Sequence, residues 1–256
     1  MSTRRSQRGG QRARRGPIWA QPAPGERKPR FTREQIAEAA LAIADKEGFE
    51  SVSMRRIADE LGAATMTLYH YIRTKDDLMA LMDDAIMGAV IVPEGELPPE
   101  WRPALHRIAL GSYRAFMRHP WALDALKGAP FGPNGMRHFE QSLAAVANLP
   151  SDLQGKMDAL GIVDDYVFGH VVRVVEGLSQ RDFIDGKPAK VTMKFAEQMI
   201  ATGEFPHVEE LLGDGDPLVA WGKVARYMND AGRFVRGLDV VLDGLEARFT
   251  TTKRSR

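Results

Sequence analysis

Apolar residues recur every three or four positions along most of the chain from Phe31 onward, which is the spacing of one face of an α-helix. No segment sustains the alternation of apolar and polar residues that is typical of a half-buried β-strand. Glycine, proline and polar clusters separate the periodic segments and mark turns. The pattern therefore predicts an all-α fold. The predicted helices span residues 33–47, 54–61, 64–71, 75–91, 101–118, 121–127, 133–147, 153–181, 191–202, 206–212 and 217–249.

Capping residues indicate where the first helices begin. Thr32, Ser53 and Thr74 carry side-chain oxygens that can accept hydrogen bonds from the N–H groups of a first helical turn. Thr32 and Thr74 are each followed three residues later by Gln or Asp, at the spacing of a capping box. Gly48 fits the position that ends a helix in a left-handed conformation. These signals predict helices that begin directly after residues 32, 53 and 74.

The segment 53–78 contains two short predicted helices joined by a glycine turn at Gly62, which is the spacing of a helix-turn-helix. Leu68 and Ile72 are four positions apart and are expected to face inward. The other side chains of the second helix then face outward or lie at its margin. Those side chains are Thr65, Met66, Thr67, Tyr69, His70 and Tyr71. A small, polar and aromatic outer face suits contacts to base edges and phosphates.

Several motifs here resemble the DNA-binding domain of TetR/AcrR-family transcriptional repressors. They are Gly48-Phe49, Met54-Arg55-Arg56-Ile57-Ala58, Leu61-Gly62 and the run TLYHYIRTKDDL from Thr67 to Leu78. The family pattern is roughly L-G-V-x-x-x-T-L-Y-x-H-F-x-x-K-x-x-L, from which Ala63, Tyr71 and Ile72 depart mildly. The resemblance implies a three-helix DNA-binding domain, a fourth helix that joins it to the rest, and a helical C-terminal domain that binds ligand and dimerises.

The same resemblance implies which side chains contact DNA. Arg55 can present its planar fork to a guanine or a phosphate, and Lys75 adds a cation to a helix N-terminus that already attracts phosphate. The complete implied set is Arg55, Thr65, Met66, Thr67, Tyr69, His70, Tyr71 and Lys75. Two alternatives stay open, namely that Tyr69 belongs partly to the core and that Arg56 is a solvated helix charge.

Charge is distributed unevenly, although the formal net charge of the 256 residues is only +1. Residues 1–30 hold nine Lys and Arg residues and one acid, whereas residues 76–256 carry a net charge of −6. The first 30 residues are rich in Arg, Gly, Pro and Gln, and they lack the apolar surface that would offset the entropy of ordering. We predict a disordered basic tail, which is either a solvated terminus or an arm that contacts DNA phosphates or the minor groove.

Composition excludes several classes of function. The chain has no cysteine, which excludes a disulfide scaffold, a thiolate zinc site and a Cys nucleophile. It has no uncharged apolar run of about 18 residues and no apolar segment behind its basic N-terminus, so we expect a cytoplasmic protein with no membrane partner. No zinc-binding His pair, P-loop or G-x-S-x-G motif occurs. We therefore expect no enzyme, no cofactor and no metal site.

Weaker motifs beyond residue 100 resemble the C-terminal domain of the tetracycline-repressor-like subgroup. They include Trp101-Arg102, His119-Pro120-Trp121, Gly132-Pro133-Asn134 and Phe234 with Gly237-Leu238-Asp239. In that family, two long helices of each subunit form a four-helix dimer interface. Apolar stripes along helices 153–181 and 217–249 are expected to form it here, and the alternative is a core within one chain. The expected interface residues are Leu160, Val167, Val171, Val174, Leu178, Met228, Val235, Leu238, Leu242 and Leu245.

The resemblance also implies a ligand pocket in the C-terminal domain, where methionines adapt to apolar ligand shapes and aromatic rings add contact area. Its candidates come from the middle helices and are Met82, Ile86, Tyr113, Phe116, Met117, Met136, Phe139, Tyr166 and His170. We interpret His119, before Pro120 at a helix break, as a turn residue rather than a metal ligand.

These features predict a tail at residues 1–30, a DNA-binding domain at 31–78 and a ligand-binding and dimerisation domain at 79–256. The expected function is that of a homodimeric repressor. It would bind a pseudo-palindromic double-stranded DNA operator and be released by an unidentified small-molecule effector. Two alternatives stay open: an architectural DNA-binding protein without ligand, and an all-α enzyme that uses paired carboxylates such as Asp164-Asp165.

Overall fold

The computed structural model describes residues 17–20, 30–126, 128–129, 131–179, 187–213, 217–228, 230 and 232–252. Side chains at 177–179, 187–193, 217, 218, 221, 225, 228 and 250–252 are not described. No β-strand occurs within these ranges, and the all-α class is confirmed. The helices are α1 (Arg33–Glu47), α2 (Met54–Glu60), α3 (Thr65–Leu68), α4 (Lys75–Val90), α5 (Trp101–Arg118), α6 (Ala122–Ala125), α7 (Pro133–Ala145), α8 (Leu153–Ser179), α9 (Lys187–Ile200), α10 (Pro206–Leu212), α11 (Pro217–Met228) and α12 (Arg233–Thr252).

The predicted caps are present at the starts of α1, α2 and α4. Thr32 Oγ1 accepts from Gln35 N at 3.2 Å, while Gln35 Oε1 accepts from Thr32 N at 2.9 Å, which completes the capping box. Ser53 and Thr74 each accept from the third residue of the helix that follows, at 3.2 and 3.0 Å. Gly48 ends α1 with φ of 87°, a conformation that side chains with a Cβ disfavour. Local sequence therefore determines these helix ends, and the predictions for them are confirmed.

Two predicted helices differ from the structure. α3 ends at Leu68 rather than at residue 71, because the chain turns there and Tyr71 N donates to Leu68 O at 2.9 Å. The predicted helix 217–249 is interrupted at Asp230. The Asp230 carboxylate accepts from Gly232 N at 3.3 Å and pairs with Arg236 at 2.5 Å, and α12 begins anew behind this turn. The single apolar stripe predicted along 217–249 is therefore wrong.

The chain divides into two compact units. Unit 1 comprises Met1–Leu97 and Arg114–Ala144, and unit 2 comprises Pro98–Tyr113 and Ala145–Arg256. In unit 1, α1 packs against α2 and α4, and α2 packs against α3. The largest fully buried side chains of this packing are Ile36, Ile43, Ile57, Leu68, Ile72, Met82 and Ile86. No helix in the described part of the chain is long and apolar enough to cross a membrane.

Residues 17–20 depart from the predicted disordered tail. Ile18–Ala20 forms a 3-10 turn, the Ile18 side chain is only 2% exposed, and the Ile18 carbonyl accepts from Arg33 Nη1 at 2.9 Å. The physical reason is local: Ile18 and Trp19 are adjacent large apolar residues in an otherwise polar stretch, and their burial offsets the entropy of ordering a short turn. The remainder of the predicted tail, 1–16 and 21–29, lies outside the described residues.

The long helices α8 and α12 of unit 2 bury their apolar stripes inside the chain. The helices pack against each other, and Leu160, Val167, Val171, Leu238, Leu242 and Leu245 are all buried. This burial corrects the expectation that these six residues meet a partner subunit, and the alternative of a core within one chain holds for them. Val174 and Val235 are half-buried. The side chains of Leu178 and Met228, also expected at the interface, lie outside the described part.

A buried carboxylate joins α4 to α7 within unit 1. Asp84 Oδ1 accepts from the backbone N–H groups of Asn134 at 2.7 Å and Gly135 at 3.1 Å, in the first turn of α7. Asn134 Nδ2 donates to the Asp84 carbonyl at 3.0 Å. Gly132 makes room for this carboxylate, because a Cβ at that position would overlap the Asp84 side chain. A negative charge at a helix N-terminus is favourable, so the contact fixes the middle of α4 against α7.

Burial raises the pKa of Asp84, while the N–H groups of Gly135 and Asn134 lower it. Asp84→Asn is expected to lower the free energy of unfolding by about 1 kcal/mol, because an amide oxygen accepts more weakly from the two helix N–H groups than a carboxylate oxygen does. Urea denaturation followed by circular dichroism measures this change.

Asp83→Asn is the matched control on the same helix. Burial, with a smaller effect of the neighbouring Asp84 charge, raises the pKa of Asp83 to about 6. A folded-state pKa above the unfolded value means that the wild-type protein loses stability as pH rises from about 4 to about 6. Asp83→Asn removes this loss, so it should be more stable than wild type at pH 7 and equal to it at pH 4. Equal destabilisation of both variants at pH 7 would contradict a specific role of the Asp84–α7 contact.

Candidate nucleic-acid interface

A tight turn places α3 beside α2. Gly62 has φ of 59°, in the left-handed region that favours glycine, as predicted from its position between the helices. Ala63 N donates back to Ala58 O at 2.9 Å, which closes the end of α2 in the manner of a Schellman motif. Arg30 Nη2 donates to the Gly62 carbonyl at 3.0 Å. The turn is thereby tied to the residues that precede α1.

The side chains of α3 and the turn after it form a face that is open to a partner. Met66 is 71% exposed, Tyr69 is 44% exposed, and His70 is exposed. Thr65 and Thr67 are half-buried at the edge of this face. The exposure of Tyr69 favours the predicted outward position over the alternative of a core residue. The face offers a thioether, hydroxyls, an imidazole and a phenol, groups that can contact base edges and phosphates.

Tyr71 does not belong to this face. It is buried, and its hydroxyl oxygen accepts from Phe31 N at 3.4 Å, at the entrance to α1. The expectation that Tyr71 points outward is therefore corrected. Its cause is the end of α3 at Leu68: the turn that follows directs Tyr71 and Ile72 toward the core of unit 1. The residues are 40 positions apart, so no local pattern announces this contact.

Exposed cations precede and follow α3 in the sequence. Arg55 in the first turn of α2 and Lys75 at the start of α4 are exposed, as a phosphate contact requires. Arg73 and Arg30 are also exposed and lie in or next to the same segment, although they were not predicted as DNA contacts. Both are basic, but Arg73 stands at a position that the family pattern leaves unspecified, and Arg30 precedes the pattern.

Arg56 differs from its neighbour Arg55. Its guanidinium pairs with Glu47 at 2.7 Å and with Glu60 at 2.9 Å. The hydrogen bond from Arg56 to Glu47 lowers the pKa of the Glu47 carboxyl. Because both carboxylates belong to the same unit, Arg56 links the end of α1 to both ends of α2. This agrees with the interpretation of Arg56 as a helix charge rather than a DNA contact.

A chain of side-chain contacts leads from Lys75 to the end of α5. Lys75 Nζ lies 5.4 Å from the centroid of the Phe49 ring, and Phe49 stacks on Trp121 with centroids 5.5 Å apart. Trp121 Nε1 donates to Asp45 Oδ1 at 2.8 Å, and His119 Nδ1 lies 2.8 Å from the same oxygen. His119 therefore has a defined partner in α1, beyond its predicted place in a turn. All five residues belong to unit 1.

The ligand candidates of unit 1 are divided between core and surface. Met82, Ile86 and Phe116 are buried. Met117 is half-buried, while Met136 and Phe139 on α7 are exposed. These six residues remain candidates for the effector site.

The ligand candidates of unit 2 form one aromatic cluster. Tyr113 and Phe234 stack with centroids 4.0 Å apart, and His170 meets the Phe234 ring edge-on at 5.2 Å. Tyr166 donates from its hydroxyl to the Phe234 carbonyl at 2.8 Å, in space that a Cβ at Gly237 would occupy. Burial, with the nearby Arg233 and Arg173 charges, lowers the pKa of His170, so the ring is neutral at pH 7. Phe234 was not among the predicted pocket residues.

Unit 2 also has an open cleft of about 720 Å³ where α11 meets α12. It is lined by Lys223, Arg226, Tyr227, Asp230 and Arg236, none of which is a predicted ligand residue. Within the ranges described, no group of three or more His, Asp or Glu side chains could hold a metal ion.

Sequence profiles of two families match the chain. The profile described as bacterial regulatory proteins, tetR family, matches residues 36–82, which include α2, the turn and α3. The profile described as tetracyclin repressor-like, C-terminal domain, matches residues 94–249, more than half of the chain.

Individual proteins agree with these matches. The chain is 31% identical over 241 residues to the HTH-type transcriptional repressor DrrR1 of Streptomyces coeruleorubidus, covering 93% of this chain and 82% of that protein. Crystal structures of the TetR family protein ActR of Streptomyces coelicolor share the fold. The complex with (S)-DNPA has 25% identity and a TM-score of 0.58, covering 86% of this chain and 98% of that one. The complex with actinorhodin has 23% identity and a TM-score of 0.58, covering 87% and 98%. The chain therefore belongs to the TetR family of bacterial regulatory proteins and is a DNA-binding transcriptional regulator.

Proposed function

We propose that this protein is a homodimeric repressor that binds a pseudo-palindromic DNA operator through α3 and is released when a small molecule binds its C-terminal domain. The observation that supports this proposal most directly is the exposed face of α3. The Gly62 turn precedes this helix, and the exposed cations Arg55 and Lys75 stand before and after it in the sequence. A transcriptional repressor is similar to this chain over 93% of its length, which supports repression rather than activation. The DNA partner implies a place in the bacterial cytoplasm.

In the DNA complex, α3 lies in the major groove. Thr65, Met66 and Thr67 stand at its N-terminal end, where recognition helices contact bases, and the Met66 side chain is available for a thymine methyl group. Tyr69 and His70 contact phosphates at the groove edge. Arg55 and Lys75 neutralise phosphates on either side of the helix. Tyr71 supports this arrangement from inside the unit and does not contact DNA.

Dimerisation uses the outward side of α8 and α12, opposite to their buried stripes. Ile162, Gly169 and Val172 on α8 are exposed, and so are Val240 and Gly244 on α12. Tyr166 meets Phe234 and Gly237, and Gly155 meets Phe249, so the two helices run antiparallel along one seam. At 3.6 residues per turn, the exposed residues of both helices then fall on one continuous face. Small and branched apolar residues there allow close packing against the same face of a second copy.

The effector acts on residues 79–256, the proposed ligand-binding and dimerisation domain. The ActR complexes show that a protein of this fold holds (S)-DNPA and actinorhodin. For this chain, the aromatic cluster of Tyr113, Tyr166 and His170 in unit 2 and the methionines of unit 1 are the proposed sensors. The effector favours a dimer whose two α3 helices no longer match successive major grooves, and a coupling of about 1–3 kcal/mol lowers operator affinity about 5–150-fold.

The test is selection of binding sites from a random double-stranded DNA library by the full-length protein, followed by a mobility shift with a panel of small molecules. The expected result is a two-fold symmetric consensus with half-sites about one helical turn apart, and at least one compound that releases it. Binding without sequence preference would instead support an architectural protein. If the protein bound a consensus site and no compound of the panel released it, the ligand-responsive part of the proposal would be refuted for that panel, while operator binding would stand.

Tyr69→Ala is expected to weaken binding to the selected site about 10–100-fold, because it removes a groove-edge contact worth about 1–3 kcal/mol. Tyr227→Ala is the control, since Tyr227 is a more exposed tyrosine that lies in unit 2. Fluorescence anisotropy with labelled DNA measures both affinities. Equal affinities of the two variants would place the DNA contact elsewhere.

Val240→Arg is expected to raise the dimer dissociation constant on the order of 100-fold, since two charges would be buried face to face at the two-fold axis. Val219→Arg is the control, because Val219 is an exposed valine on α11 outside the proposed face. Sedimentation velocity distinguishes monomer from dimer. A Val240→Arg protein that remains as dimeric as wild type would show that the subunits meet through another surface.

A further inference from the structure

The cleft where α11 meets α12 in unit 2 has no role in the function proposed above. Its volume of about 720 Å³ lies within the range of sites that hold small organic molecules, about 300–1,000 Å³. Three of its five lining residues are cations and one is an acid, and the full set is Lys223, Arg226, Tyr227, Asp230 and Arg236. The cleft is therefore large enough for a small molecule and positively charged.

α11 presents one of its faces to the cleft. Lys223, Arg226 and Tyr227 are spaced three and four positions apart, which puts them on the same side of the helix. All three side chains are exposed, and in the described part of the chain neither Lys223 nor Arg226 pairs with a carboxylate. These two cations therefore keep their hydrogen-bond donors available to a ligand. The ring of Tyr227, which is 75% exposed, adds a flat apolar surface beside them.

α12 contributes a guanidinium that is held in place. Arg236 Nη2 donates to Asp230 Oδ2 at 2.5 Å, and the Asp230 carboxylate also accepts from Gly232 N at 3.3 Å. These hydrogen bonds, the one from Arg236 first, lower the pKa of Asp230. Gly232 makes room for the guanidinium, because a Cβ there would lie 2.7 Å from Arg236 Nη1. A guanidinium has five N–H donors, so Arg236 is oriented by Asp230 and can still bind an anion.

Positive charge at the start of α12 is only partly balanced. The helix begins at Arg233, and its first turn holds no acidic residue, although a helix N-terminus is itself positive. The Nη1 atom of Arg233 is buried and has no hydrogen-bond partner within the described ranges. Residues 76–256 carry a net charge of −6, so this cationic site differs from the rest of that region. A positive potential in a cleft raises the local concentration of anions.

We propose that the cleft between α11 and α12 binds a small organic acid, whose anionic group is held by Lys223, Arg226 and Arg236 and whose apolar body lies against Tyr227. Arginine binds a carboxylate with two parallel hydrogen bonds, which a neutral ligand of the same shape accepts less strongly. The site is separate from the aromatic cluster and the methionines that are the proposed sensors of the effector. The bound acid joins α11 to α12, because each helix supplies part of its donors.

The first experiment compares ligands on the full-length protein in the absence of DNA. Isothermal titration calorimetry measures the binding of 2-naphthoate, of the neutral 2-naphthamide and of inorganic phosphate. 2-Naphthoate is expected to bind at least about tenfold more tightly than 2-naphthamide, because charge-assisted hydrogen bonds are about twice as strong as neutral ones. It is also expected to bind more tightly than phosphate, which has no apolar surface to place against Tyr227. Added KCl should weaken the binding of 2-naphthoate, since salt screens exposed charges.

The second experiment removes two cations of the cleft. Lys223→Gln combined with Arg226→Gln is expected to lower the affinity for 2-naphthoate at least about tenfold and to leave the affinity for 2-naphthamide within about twofold. Lys194→Gln combined with Arg248→Gln is the matched control. Both of these cations are exposed, belong to unit 2 and lie outside the cleft, and the control changes the net charge by the same amount. The control protein should bind 2-naphthoate as wild type does.

Three results would overturn the proposal. Equal binding of 2-naphthoate and 2-naphthamide by wild type would show that the cleft does not select an anion. Wild-type affinity of the Lys223→Gln, Arg226→Gln protein would place the acid elsewhere. Phosphate binding as tight as that of 2-naphthoate would remove the organic part of the ligand. The titrations contain no DNA, and the DNA measurements with Tyr227→Ala contain no small molecule, so failure of operator binding and failure of this site are distinguishable.

Discussion

The contact of the Asp84 carboxylate with the first turn of α7 is the constraint on which the position of α4 depends. α4 begins directly after the helix-turn-helix, and Asp84 lies in its third turn. Two N–H groups converge on one buried carboxylate oxygen, and leaving such donors unpaired costs about 1–3 kcal/mol each. α4 therefore cannot slide along α7 without losing this contact. A shift of α7 is transmitted to α4, and through it to the segment that carries α3.

A second link holds the other end of α4. Lys75 lies on the Phe49 ring, Phe49 stacks on Trp121, and Trp121 is tied to α1 through Asp45. The start of α4 is thus coupled to the segment after α5, while its middle is coupled to α7. Packed contacts of this kind are bistable rather than continuously deformable, which suits a switch between two discrete arrangements. Both links lie within unit 1, the unit that also contains α3.

Helix ends and turns that depend on neighbouring residues were predicted from the sequence. Contacts between residues far apart in the sequence were not. The Thr32 capping box and the Gly62 turn are set by residues within four positions, and both are present. The buried Tyr71 is hydrogen-bonded to a residue 40 positions away, and the carbonyl of the buried Ile18 to one 15 positions away. The stripes of α8 and α12 were recognised as apolar, but periodicity reports that a face is buried and not which surface buries it. The exposed face with Val240 carries too few large apolar residues to stand out.

The uneven charge distribution of the chain can be related to the 3-10 turn Ile18–Ala20, which Arg33 holds at the start of α1. Residues 1–30 carry a net charge of +8 and residues 76–256 a net charge of −6, so the protein in the field of DNA is attracted at one end and repelled along the rest. A basic segment that floated freely would attract DNA to the chain without orienting it. Arg33 is held at the Ile18 carbonyl and Arg30 at the Gly62 carbonyl, so these two cations lie at the N-terminal border of the helix-turn-helix. Long-range attraction and short-range recognition then favour the same approach, because the surface that draws DNA in is next to the surface that reads it.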